Sequence, residues 1–187
     1  MPLPELLTNA ILYVFIPLWV LAGFCDWLFH RHTGISHTAG VRESALHLLM
    51  LAEVGLPLLA ALFVEVNALL FAVMIVALLL HEATVLWDLR HAAPRRTILP
   101  GEQIVHSFQE LVPLILLTLL AFVHWDQFRA LFAFDGSARF VVEWKRDPLP
   151  TGYVAGLLGG ATLFIALPYA EEFWRCWRDR RSLPADH

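Results

Sequence analysis

The stretch "VNALLFAVMIVALLLHEATVLWDLRH", residues 66–91, decides how the rest of the chain is read. From Val66 to Leu80 its only polar residue is Asn67. A run of about 20 apolar residues crosses a bilayer as a helix. Yet the segment ends on His81, Glu82, Asp88 and His91. Ionisable groups at the end of a membrane helix are costly unless something compensates them.

The flanking sequence has the same character. Of the 187 residues, 58% are hydrophobic and 16% charged, whereas soluble domains are roughly 25% charged. Apolar segments at about 10–30, 43–64, 67–90, 102–125 and 152–174 predict one all-α, integral membrane domain of five transmembrane helices. Four of them are expected to form a metal-binding bundle. Only a few residues around Glu65 join the second and third spans, which predicts a tight hairpin. Pro17, Pro57, Pro113 and Pro168 fall inside spans and are expected to kink them. Gly152, Gly156 and Gly160 recur every fourth residue, which predicts a fifth span specialised for close packing and without a chemical role. A net charge of −4 implies no anionic partner, and nothing points to nucleic acid. Cys25 and Cys176 are expected to be free, buried apolar residues. The N-terminus lacks the basic start of a signal peptide and is expected to be mature chain.

Arginine suggests the orientation. Arg31 and Arg42 follow the first span, Arg90, Arg95 and Arg96 the third, and Arg175, Arg178, Arg180 and Arg181 the fifth. The turn between the second and third spans has no Lys or Arg. The positive-inside rule then predicts a cytoplasmic C-terminus and an outside N-terminus. Residues 126–151 are expected to form an outside interfacial segment.

The ionisable residues collect in the cytoplasmic half of four spans. Asp26 and His30 end the first, Glu43, His47 and Glu53 open the second, His81, Glu82, Asp88 and His91 end the third, and His106 and Glu110 open the fourth. Asp26/His30, Glu43/His47 and His106/Glu110 are i, i+4 pairs on one helix face. The expected metal ligands are Asp26, His30, His47, Glu53, His81, Asp88, His106 and Glu110. Glu82 points about 100° from the face of His81 and is left out. Glu43 and Glu102 are expected to complement helix dipoles. His91, His32 and His37 are expected to be solvated and His124 interfacial. Arg95 and Arg96 are expected to set topology, with docking of an acidic electron donor as the alternative. "CDWLFH" at 25–30 is similar to "WDLRH" at 87–91, and "ESALH" at 43–47 to "EQIVH" at 102–106. Two related hairpins about a pseudo-twofold axis would follow.

Carboxylate oxygen with imidazole nitrogen suits iron, manganese or zinc. The polar positions resemble the scheme of soluble four-helix di-iron carboxylate proteins, with more histidine and i, i+4 spacing. They also resemble membrane lipid desaturases and hydroxylases, although the His-x-x-His-His clusters of that group are absent. "HEATVLWDLRH" followed by "EQIVHSFQELVPL" is similar to a family of small bacterial multi-span membrane proteins. That resemblance implies a bacterial inner membrane and supplies no activity. The expected function is a dimetal oxidoreductase or oxygenase, with two ions, iron first. It would act on a lipid-soluble substrate, such as an acyl chain, quinone or hydrocarbon, with membrane lipid around it. No flavin or haem-attachment motif is present, so electrons would come from the substrate or a separate donor. The alternatives are a haem b cytochrome with His47 and His106 as axial ligands, a zinc-dependent lipid hydrolase, and a metal or proton transporter.

Overall fold

The computed structural model describes residues 1–180, so Arg181 lies outside the described residues. Five helices are long and apolar enough to cross a membrane: Leu3–Thr33, Gly40–Phe63, Ala68–Ala92, Pro100–Val123 and Thr151–Asp179. The chain is an all-α, multi-pass membrane protein. Large apolar side chains such as Leu56, Leu79, Leu111 and Phe122 stand exposed on its outer surface. Hydrocarbon is a good solvent for them, and the helical backbone satisfies its own hydrogen bonds there.

The helices outrun the apolar segments that predict them. The first begins at Leu3 and the fifth continues to Asp179. Backbone hydrogen bonding does not stop where the apolar run stops, and polar side chains are tolerated at helix ends. Two of the four in-span prolines follow a wide π turn, Ile11–Phe15 before Pro17 and Thr162–Ala166 before Pro168. Proline lacks an N–H and crowds the carbonyl four residues back. A wider turn relieves that crowding. Pro57 and Pro113 sit within continuous α-helix.

The first span packs on the fourth and the second on the third, and the fifth lies against the second at the arginine-rich end. Gly34, at a φ of 70°, ends the first span in the left-handed conformation that glycine adopts freely. Gly101 permits close approach of the fourth span to the first. A methyl group there would stand 2.8 Å from the Phe29 ring. Phe29 and Gly101 precede His30 and Glu102, so this contact draws together the two polar faces.

The glycines of the fifth span behave otherwise. A Cβ at Gly152, Gly156 or Gly160 would meet nothing within 4 Å. They line a groove with Tyr13 and Pro17 instead of packing tightly, which corrects the close-packing expectation. The groove is open because Tyr13 and Tyr153 meet edge-on, with ring centroids 5.3 Å apart, and hold the two helices apart.

At the opposite end, residues 139–146 cover the hairpin turn. Glu65 N donates to Glu143 O at 2.9 Å, and Lys145 N donates to Phe63 O at 2.9 Å. The Arg146 amide donates to the Glu65 carboxylate and lowers its pKa. Asn67 is 2% exposed. Its Oδ1 accepts from Leu70 N at 3.3 Å, capping the third span, and its Nδ2 donates to Val141 O at 2.8 Å. Asn67→Ala removes the cap and leaves that carbonyl unpaired. Unfolding in detergent should show a loss of about 1–3 kcal/mol, with the site at the other end unaffected.

Candidate metal centre

The first two spans deliver a pair of stacked imidazoles. His30 and His47 lie parallel, with centroids 4.3 Å apart and planes 10° from coplanar. Glu172 of the fifth span holds both. His30 Nδ1 donates to Glu172 Oε2 and His47 Nδ1 to Glu172 Oε1, each at 3.0 Å. A carboxylate behind a histidine fixes its tautomer and leaves the other nitrogen free to bind.

Both free nitrogens face acids. His30 Nε2 is 3.4 Å from Asp26 Oδ1 and 3.4 Å from Glu102 Oε1. His47 Nε2 is 3.7 Å from Asp88 Oδ2 and 4.0 Å from Glu43 Oε1. These separations exceed a hydrogen bond. The third imidazole, His106, donates from Nε2 to Asp26 Oδ1 at 2.8 Å, while Tyr169 donates to Asp26 Oδ2 at 3.0 Å. Two sets of ligand atoms converge within 4.8 Å: Asp26, His30, Glu102 and His106, and His30, Glu43 and His47. His30 Nε2, Glu43 Oε2 and Asp88 Oδ1 are all buried without a hydrogen-bond partner.

Of the expected ligands, Asp26, His30, His47 and His106 therefore come together. Asp88 stands beside His47 but outside both sets. His81 and Glu53 form a separate pair one level deeper, with His81 Nδ1 3.8 Å from Glu53 Oε2. Thr84 donates to Glu53 Oε1 at 2.8 Å. Glu110 is half-buried and lines the same cavity as His47, His81 and His106. Glu82 is exposed.

Several expectations need correction. Glu43 and Glu102 do stand in the first turns of their helices, where Glu102 Oε2 accepts from Leu99 N at 3.3 Å, but they are not surface acids. Both are 0% exposed and share the guanidinium of Arg96. Arg96 Nη2 donates to Glu43 Oε1 at 2.5 Å, and Nη1 lies 2.6 Å from Glu102 Oε1. Burial opposes its charge, but hydrogen bonding and charge from Glu43, then the charge of Glu102, raise its pKa above the ordinary arginine value. Arg96 is thus a core residue as well as a marker of topology. His91 is 7% exposed, not solvated, and its Nε2 donates to Ala39 O at 3.1 Å. The loop preceding the second span folds over it. His32 and His37 are exposed, as expected. Cys25 and Cys176 are free; Cys176 is buried and Cys25 half-buried.

The largest correction concerns the fifth span, which was expected to have no chemical role. Glu172 is 0% exposed and Tyr169 is buried. The signal was present in the spacing of Tyr169, Glu172 and Cys176, three and four residues apart on one face. Its neighbour Glu171 points outward and accepts from Trp27, Arg31 and Arg175.

Comparison with family models, curated proteins and solved structures finds no significant match. The site therefore stands on its own geometry. Five fully buried or nearly buried carboxylates, Asp26, Glu43, Asp88, Glu102 and Glu172, lie at this end with one guanidinium, which pairs with Glu43 and Glu102. Removing one partner of such a pair strands the other charge. Arg96→Met should destabilise the protein by about 3–5 kcal/mol in detergent unfolding. Adding Glu43→Gln and Glu102→Gln to that variant should recover part of the loss. A triple variant no more stable than Arg96→Met would refute this account of the charge balance.

Proposed function

We propose that this membrane protein binds two divalent metal ions at the arginine-rich end of its spans and works there as an oxidoreductase on a lipid-soluble substrate. The observation that carries the proposal is the His30/His47 pair. Glu172 holds each Nδ1, and each Nε2 faces buried carboxylates. With neutral imidazoles, five carboxylates and one guanidinium leave four negative charges, which two divalent ions would neutralise.

The residues present fit such ions. Asp26, His30, Glu102 and His106 would hold one, and His47, Glu43 and Asp88 the other. The unpartnered atoms of His30, Glu43 and Asp88 are the ones that would turn to them. Oxygen and imidazole donors without thiolate favour iron, with manganese and zinc compatible. Bound iron would supply one-electron chemistry with O₂, drawing electrons from the substrate or a separate donor protein. Tyr169 fixes the second oxygen of Asp26, and Gln109 Nε2 donates to Tyr169 Oη at 3.0 Å. That chain holds Asp26 in place without adding charge.

The haem reading has less support. Its expected axial ligands, His47 and His106, line a cavity of only about 60 Å³, and the acids Asp26, Asp88 and Glu110 around it are unlike an apolar haem pocket. A zinc hydrolase would use the same ligands, and metal analysis separates the two. The polar end carries Arg31, Arg42, Arg90, Arg95, Arg96, Arg175, Arg178 and Arg180. The positive-inside rule then supports a site on the cytoplasmic face of a bacterial inner membrane.

Gently purified protein should carry about two iron atoms per chain, and a strong chelator should lower its melting temperature, since native-state binding adds RT ln(1 + [L]/Kd). Glu102→Gln should reduce metal content while the protein remains folded. Protein with no metal, melting identically with and without chelator, would point to protonated histidines as the compensating charge and remove the metal reading. A reporter fused to the C-terminus should be active in the cytoplasm.

A further inference from the structure

We infer that the site takes an uncharged, hydroxyl-headed, single-chain lipid, with its chain in the groove between the first, second and fifth spans and its hydroxyl at His81. This rests on the reading of the polar end as a metal site that acts on a lipid-soluble substrate, and names the class of that substrate.

Two cavities meet at this point. A polar cavity of about 60 Å³ is lined by Asp26, His47, His81, His106, Glu110 and Tyr169. It has room for a few waters, or for a hydroxyl group and its neighbouring carbon atoms. An apolar groove of about 400 Å³ runs along the membrane-facing side, past Leu48, Gly55, Leu59 and Leu158. Trp19, Leu51 and Ile165 line both. They mark the passage between the hydrocarbon phase and the polar end. Gly23 lines the polar cavity beside them. A Cβ there would touch the Ile165 side chain at 3.5 Å and stand 3.8 Å from Tyr169 Oη.

His81 supplies the independent evidence for a ligand. It is 4% exposed, lines the polar cavity, and neither ring nitrogen makes a hydrogen bond of ordinary geometry, with only the Met50 backbone and Glu53 Oε2, 3.8 Å from Nδ1, beside it. A buried imidazole without partners is costly. It lies outside both sets of converging ligand atoms. A hydroxyl both donates and accepts, so it can pair with His81 in either tautomer.

Charge selects the head group. Asp26, Asp88 and Glu110 line the same cavity. Asp26 and Asp88 would be taken up by the ions, which leaves Glu110 to repel a carboxylate or a phosphate, whereas an alcohol or hydroquinone hydroxyl enters uncharged. The groove continues the hydrocarbon phase and accepts one extended chain.

The test is photolabelling of the whole protein in nanodiscs with hexadecanol bearing a diazirine in its chain. Labelling should map to peptides containing Leu51 and Leu158, and unlabelled hexadecanol should compete at least tenfold better than palmitate. Gly55→Trp, or Leu158→Trp from the opposite wall, fills the groove without replacing any residue of the polar cavity. Either should cut labelling at least tenfold with metal content unchanged. His81→Phe should abolish the preference of the site for hexadecanol over hexadecane. Equal competition by palmitate, or labelling indifferent to both tryptophan variants, overturns the lipid site. Metal content measured in parallel separates the two claims. Selective labelling of metal-free protein would overturn the metal reading and leave the lipid site standing. Metal bound without selective labelling would overturn the lipid site alone.

Discussion

The polar end depends on the guanidinium of Arg96 between Glu43 and Glu102. Both carboxylates are shut away from water at helix starts, where solvent would otherwise hydrate them. A buried charge persists only with a partner and hydrogen bonds. Arg96 provides both, from the short connection between the third and fourth spans. It thereby ties the second span to the fourth, which are otherwise held through their partners, the third and the first. The planar fork of arginine suits a position between two carboxylates, and a lysine ammonium there would lose that geometry.

Around this clamp the contacts repeat in exchanged pairs. Asp26 of the first span meets His106 of the fourth, and Asp88 of the third meets His47 of the second. Glu43 and Glu102 take equivalent places on Arg96. This is the pairing that two related hairpins would make. His30 and His91 depart from it, because one meets Glu172 and the other a backbone carbonyl. The fifth span has no counterpart among the other four, and its Glu172 reaches His30 and His47 on one side of the cluster. The asymmetry gives one imidazole pair a fixed orientation and leaves His106 hydrogen-bonded to Asp26, with Glu102 Oε1 4.0 Å from its Nε2.

Depth divides the remaining polar groups. His81, Glu53 and Thr84 sit farther into the membrane than the clamp, and His81 lines the same cavity as Asp88 and His106. The apolar groove reaches this deeper level past Trp19, Leu51 and Ile165.

The sequence by itself determined the helical membrane fold, its five spans and the level at which the acids and histidines gather. Those follow from apolar run length and from 3.6-residue periodicity, which are local properties of the chain. It also marked Asp26, His30, His47 and His106, because i, i+4 spacing puts acid and imidazole on one face of a single helix. Only the tertiary structure decided that Glu43 and Glu102 are buried, that Arg96 belongs between them, and that Glu172 completes the imidazole pair. An acid at a helix start and an arginine in a loop look the same in sequence whether they face water or one another. Rotation of one helix about its axis changes no local pattern, yet it decides whether Glu171 or Glu172 enters the core. Packing settles that rotation, through contacts between residues more than 100 positions apart.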